Sequence, residues 1–236
     1  MKLRIDFIGV GFGRTGSNWL VNCLYEHPQI SIPKFNLLTE INYFPEEYEI
    51  MGLKNYYKKF KNCDFSKVVG EISTLIIDKK RSAKLLKKLF PNTKIIIYER
   101  NEEDRAKSYY NVSKYHDLLP TKKPKFNQKE LIEPWKKEFG KNVFIFNMDN
   151  PNKQSELNRL FKFLGVKEFT PYYIDKRLNE SYKDRKKGIT IQSTYPRIRK
   201  IINILKPRLR KHKRLYYTIK RTFNVDYYFQ KINHKI

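Results

Sequence analysis

With 236 residues, 40% of them hydrophobic, the chain is long enough for one core of ordinary size and too short for two comfortable ones. Lys and Arg number 50 against 24 Asp and Glu, and the net charge of +26 selects anionic partners: phosphates, acidic glycans, lipid headgroups or nucleic acid. Two cysteines, Cys23 and Cys63, exclude a disulfide framework or a cysteine metal cluster, and a charged N-terminus with no long apolar segment excludes a secretory signal and a membrane span, so a reducing, cytoplasmic setting is expected.

In chain order, Leu3 to Val10 reads as a strand ending in glycines, and Trp19, Leu20, Cys23 and Leu24 recur at helical spacing across Ser17 to His27. Val68 to Gly70 is a second candidate strand. Ser82 to Phe90 repeats leucine at helical spacing until Pro91 breaks it, and Lys94 to Glu99 is a continuous apolar run suited to a buried parallel strand. A helix is expected from about Asp104 to His116, a strand over Asn142 to Asn147, and an amphipathic helix from Gln154 to Leu164 that stops at Gly165. This alternation predicts an α/β, three-layer, P-loop-like fold: a central parallel sheet flanked by helices, with ligands beyond the C-terminal ends of the strands. From about Tyr195 the composition turns to Arg and Lys interleaved with Ile, Leu, Tyr and Phe. We divide the chain into a domain over 1–194 and a basic helical C-terminal tail over 195–236.

Gly11-Phe-Gly-Arg-Thr-Gly16 follows the first strand and satisfies two nucleotide patterns, completing neither. A dinucleotide site wants an acid roughly 20 residues on, where this chain reads His27-Pro-Gln-Ile-Ser-Ile-Pro33 with no acid until Glu40. A triphosphate loop wants Lys and then Ser or Thr directly after the last glycine, where this chain has Ser17 and Asn18. What remains is an anion site that needs no metal: glycines for close approach, the amides of Thr15 to Asn18 at a helix N-terminus, and the Thr15 and Ser17 hydroxyls as further donors.

These residues resemble the 5'-phosphosulfate loop of the sulfotransferases that use 3'-phosphoadenosine 5'-phosphosulfate (PAPS), with Gly13, Arg14, Thr15, Gly16, Ser17 and Asn18 in the matching places. Arg100-Asn-Glu-Glu-Asp-Arg-Ala-Lys-Ser-Tyr-Tyr110 resembles the family's 3'-phosphate motif, which implies that Arg100 and Ser108 clamp that phosphate. The resemblance implies that Arg14 donates to the oxygen bridging sulfate and 5'-phosphate. Leu38-Thr-Glu-Ile-Asn-Tyr-Phe44 resembles a stretch of the heparan-type and bacterial glycan sulfotransferases whose Glu deprotonates the acceptor, which points to Glu40 as base, with His116 as the alternative. Val69-Gly-Glu-Ile-Ser-Thr74 resembles a stretch near adenine and acceptor, so Glu71 and Ser73 either border the site or only end a strand. Arg185, Lys186, Lys187 and Gly188 sit where relatives close a basic loop over the nucleotide.

The expected function is therefore sulfuryl transfer from PAPS to a hydroxyl on a carbohydrate or glycolipid. A kinase-like phosphotransferase and a non-catalytic basic anion-binding protein stand as alternatives. For the tail, the readings are a helix packed on the domain with a solvated basic face, a surface docking on an acidic glycan or an anionic membrane, and a grip on nucleic acid.

Overall fold

Five short strands carry the architecture: β1 (Phe7–Gly11), β2 (Ile30–Ser31), β3 (Val68–Ser73), β4 (Lys94–Glu99) and β5 (Val143–Asn147). In the computed structural model, which describes residues 3–33, 40–74, 76–79, 81–115, 127–175 and 212, they form one parallel sheet in the order β2-β3-β1-β4-β5. Among the described residues six α-helices accompany them: α1 (Ser17–Glu26), α2 (Glu46–Tyr57), α3 (Ser82–Leu89), α4 (Glu102–Tyr115), α5 (Gln128–Phe139) and α6 (Lys153–Leu164).

β4 shows why a continuous apolar run makes a central strand. Side chains alternate across a sheet, so Ile95 and Ile97 enter one core with Ile8, Val10 and Val69, whereas Ile96 and Tyr98 enter the other with Phe7 and Ile72. Leu86 of α3 and Ile132 and Trp135 of α5 close the first core, and Leu20 and Leu24 of α1 with Leu157, Leu160 and Phe161 of α6 close the second. Each fully buried aliphatic or aromatic side chain here contributes roughly 1.5–3 kcal/mol relative to exposure.

The strand order also positions the site. β1 lies between β3 and β4, so the chain leaves it toward one side and later returns on the other, opening a crevice beyond the C-terminal end of β1. On the second-core face β1 carries glycine twice. A Cβ at Gly9 would sit 2.1 Å from Ile72 Cδ1, and one at Gly11 would sit 2.0 Å from the Tyr98 ring, so glycine lets both neighbours pack across the strand.

Several elements differ from their expected extent. β1 begins at Phe7 rather than Leu3, and β3 runs on to Ser73. α4 begins at Glu102, where the Asn101 carboxamide oxygen accepts the N–H groups of Glu103 (3.0 Å) and Asp104 (3.2 Å). α1 stops at Glu26 because Pro28 follows. His27 then turns inward, its Nδ1 accepting the Gln29 N–H (3.1 Å) and its Nε2 meeting the Lys167 carbonyl (2.9 Å) against the Phe161 ring. Cys23 is buried, its thiol pushed up to about 12 first by burial, and is a packing residue. No helix among the described residues is long and apolar enough to cross a membrane. The basic tail from Tyr195, His212 apart, lies outside the described residues.

Candidate active site

Between β1 and α1 the backbone passes twice through the left-handed region, at Arg14 (φ 71°) and Gly16 (φ 83°). For a residue with a Cβ this conformation costs about 1–2 kcal/mol and marks a position held by its surroundings. Gly16 caps α1, its carbonyl accepting the N–H groups of Trp19 (2.9 Å) and Leu20 (3.3 Å). No side chain caps this end and the first turn holds no acid, so the positive end of the helix dipole is turned toward the loop. Gly13 is exposed, and a Cβ there would meet nothing within 4 Å, which leaves that side of the loop open to an approaching ligand.

The two loop hydroxyls are used otherwise than the sequence suggests. Thr15 is fully buried and its hydroxyl donates to the Phe12 carbonyl (2.5 Å), tightening the loop on itself. Ser17 donates to Glu40 Oε1 (2.9 Å). The Asn18 carbonyl accepts from the Asn22 carboxamide one turn on (2.7 Å), and with its hydroxyl spent on Phe12, Thr15 has its backbone N–H to offer a ligand.

Arg14 joins this loop to the second motif. Its Nε donates to Ser108 Oγ on α4 at 3.2 Å, across 94 residues of sequence. Arg100, the first residue after β4, is half-buried, with Nε 3.6 Å from Asp149 Oδ1, and Asp149 also accepts the Asn101 N–H. The Gln128 carboxamide donates to the Arg100 carbonyl (2.7 Å), fixing the backbone from which that arginine reaches out. Arg105, quoted within the motif, is buried with its guanidinium 4.5 Å over the Phe12 ring, so a cation–π contact ties α4 to the glycine loop.

Glu40 stands opposite, where three donors converge: Ser17 Oγ on Oε1, and Asn42 Nδ2 (3.1 Å) and the Thr74 hydroxyl on Oε2. Behind it lies a second carboxylate. Glu71 on β3 is buried and accepts from the Ser73 hydroxyl (2.6 Å) and the Tyr56 hydroxyl (3.3 Å). Burial pushes its carboxyl from 4.5 up to about 7, against the two hydrogen bonds and the charge of Lys59, which pull it down. The native state therefore keeps a proton that the unfolded chain has released between about pH 4.5 and 7. Stability should fall across that window, by up to about 3 kcal/mol from this group, and the loss is complete above it. Urea unfolding of the wild type and Glu71→Gln at about pH 5 and about pH 8 checks this. The wild type should lose more stability than the variant on going to the higher pH, and equal slopes would exclude it.

The sequence-derived residues Arg14, Ser17, Glu40, Ser108 and Arg100 thus gather around the C-terminal ends of β1, β3 and β4. His116, Arg185, Lys186, Lys187 and Gly188 lie outside the described residues. Asn42 and Thr74, which lie within the quoted stretches but had no role of their own there, join the site, as does Asp149. Among the described residues no group of three or more His, Cys, Asp or Glu is placed to hold a metal ion.

A profile of the sulfotransferase domain matches residues 4–216 of this chain. The chain belongs to the sulfotransferase family. It is 29% identical over 123 residues to bifunctional heparan sulfate N-deacetylase/N-sulfotransferase 1 of Caenorhabditis briggsae, an alignment covering 50% of this chain and only 14% of that much longer protein. The sulfotransferase from Alicyclobacillus acidocaldarius has a similar structure, with a TM-score of 0.57 at 20% identity over 75% of this chain and 87% of that one. Mouse sulfotransferase SULT7A1 complexed with PAP gives 0.47 at 18% identity over 75% and 64%. In this sulfotransferase the expected parallel sheet flanked by helices is the observed fold.

Proposed function

We propose that this sulfotransferase moves the sulfuryl group of PAPS to a hydroxyl of a carbohydrate or glycolipid, with Glu40 as the base and Arg14 at the leaving oxygen. The observation that carries the reading is one pair of contacts, Arg14 to Ser108 and Ser17 to Glu40, which join donor loop, 3'-phosphate motif and candidate base around one crevice. The open face of Gly13 and the N-terminus of α1, with no side-chain cap and no acid in its first turn, suit an anion approached by backbone N–H groups of Thr15, Gly16, Ser17 and Asn18. PAPS supplies an activated sulfuryl group and an adenosine bisphosphate leaving group. This chain's part is to position, to stabilise charge and to remove one proton.

Glu40 suits the last task. Of its two oxygens, Oε2 accepts from both Asn42 and Thr74, whereas Oε1 accepts only from Ser17 among the described residues, so Oε1 keeps a lone pair for an acceptor proton. Arg100 and Ser108 take the 3'-phosphate, and Arg185, Lys186, Lys187 and Gly188 close over the nucleotide. A carbohydrate acceptor is supported by the Leu38–Phe44 resemblance and by the relative whose name specifies heparan sulfate. The cationic tail from Tyr195 adds attraction for an acidic glycan or an anionic membrane surface. A kinase-like reading fits less well, because Ser17 and Asn18 stand where a triphosphate loop needs Lys and Ser or Thr.

Calorimetric titration with 3'-phosphoadenosine 5'-phosphate tests the donor site. Binding on the order of micromolar and independent of magnesium is expected, at least tenfold tighter than adenosine 5'-phosphosulfate or ATP. Arg100→Ala should weaken it tenfold or more, since a charged hydrogen bond is worth roughly 1.5–3 kcal/mol and the half-exposed Asp149 partner offers only about 0–1 kcal/mol in competition. Equal, weak binding of every anion would reduce the site to bulk positive charge and overturn the reading.

A further inference from the structure

The loop that carries Glu40 is held by more than the Glu40 side chain and its bonds to Ser17 and Thr74. Its backbone runs beside the end of β3, tied by two N–H groups: Ile41 N–H donates to the Ile72 carbonyl (3.1 Å), and Asn42 N–H donates to Ser73 Oγ (2.9 Å). The second tie is a side chain, and its rotamer is fixed in turn. Ser73 is fully buried and gives its only proton to Glu71 Oε2 (2.6 Å), which turns its lone pairs toward Asn42. Glu71, 1% exposed, is braced on its other oxygen by the Tyr56 hydroxyl of α2 (3.3 Å). Asn42 then uses its carboxamide to hold Glu40 Oε2 (3.1 Å) from a left-handed backbone (φ 47°), a conformation asparagine adopts more readily than other residues with a Cβ.

We propose that Glu71 and Ser73 are positioning residues for transfer, a buried bracket that sets the loop bearing the base through the Asn42 amide. Neither needs to touch donor or acceptor. The proposal rests on the reading of Glu40 as base, and the two are separable by experiment. A bracket acting through Glu40 moves the turnover rate and leaves donor binding alone, whereas a residue lining the nucleotide site would move affinity.

The measurement is transfer of labelled sulfuryl from PAPS to an unsulfated heparan-type polysaccharide by Ser73→Ala, Glu71→Ala, Glu71→Gln and Glu40→Gln, with the 3'-phosphoadenosine 5'-phosphate Kd and hydrogen exchange of the Asn42 amide on each protein. Ser73→Ala should lower kcat at least tenfold, keep Kd within twofold, and speed Asn42 exchange at least tenfold. It should cost nothing further when combined with Glu40→Gln. Glu71→Gln, which keeps an acceptor for Ser73, should recover most of what Glu71→Ala loses. Full kcat and unchanged Asn42 exchange in Ser73→Ala, alongside an inactive Glu40→Gln, would overturn the bracket and spare the base. A loss in Ser73→Ala that persists in the Glu40→Gln background would also overturn it, because the effect would then bypass Glu40. Should Glu71→Ala fail to fold, Ser73→Ala and Glu71→Gln still decide.

Discussion

Glu40→Gln should lower the transfer rate at least 100-fold while leaving the affinity for 3'-phosphoadenosine 5'-phosphate within about twofold. General-base removal typically costs roughly 10²–10⁴ in rate, and the substitution is nearly isosteric, so the loss reports chemistry more than shape. The geometry explains why Gln cannot substitute. Glu40 receives three hydrogen bonds and returns none, an arrangement that only an acceptor-only group completes. A carboxamide must point its NH2 at one of these donors. Ser17 and Thr74 can rotate their hydroxyls to accept, but the Asn42 carboxamide nitrogen cannot, so Gln should settle with its nitrogen toward Ser17. The oxygen with a free lone pair is then replaced by a donor, and no acceptor proton can be received there. Single-turnover rates measured beside the calorimetric Kd check both halves of the expectation. A rate within threefold of wild type would remove Glu40 from the chemistry and pass the question to His116.

How far the sequence reveals this site depends on whether each residue's signal is local. The bounds of β4 follow from its continuous apolar run because a strand buried on both faces has nothing else to show. The glycine loop and the Arg100 motif are legible for the same reason, since each contains its own spacing. α2 is not legible: Gly52 (φ 68°) breaks it midway, its carbonyl bonding the Tyr43 hydroxyl (2.8 Å), and its buried Glu47 and Tyr56 make no apolar stripe. α5 carries Ile132, Trp135 and Phe139 at helical spacing, but Pro134 inside it reads as a breaker. Asp149 and Thr74 reach the site from the ends of β5 and β3, and such meetings are made by the sheet order, which no single stretch encodes. Thr15 shows the converse. Its place in the loop suggests a ligand donor, yet its hydroxyl is spent on Phe12 because burial demands an internal partner.

Arg14→Ala should lower kcat by roughly 10²–10³, the usual cost of deleting one preorganised donor to a developing negative charge. Alanine keeps a Cβ in the same left-handed backbone, so the comparison subtracts the guanidinium without relieving conformational strain. The contact with Ser108 sharpens the expectation. Nε is oriented by that hydroxyl at 3.2 Å, so the planar group is aimed from α4 before any ligand arrives. An aimed cation requires little rearrangement as charge moves to the leaving oxygen, and its effect belongs to the transition state more than to ground-state binding. Arg14→Lys retains a charge but not the rigid fork, and should recover only part of the rate. The decisive comparison is the rate against the Kd of 3'-phosphoadenosine 5'-phosphate. A tenfold loss of affinity with an unchanged kcat would make Arg14 a phosphate anchor, whereas a 100-fold loss of kcat with affinity changed by less than tenfold places it on the leaving oxygen.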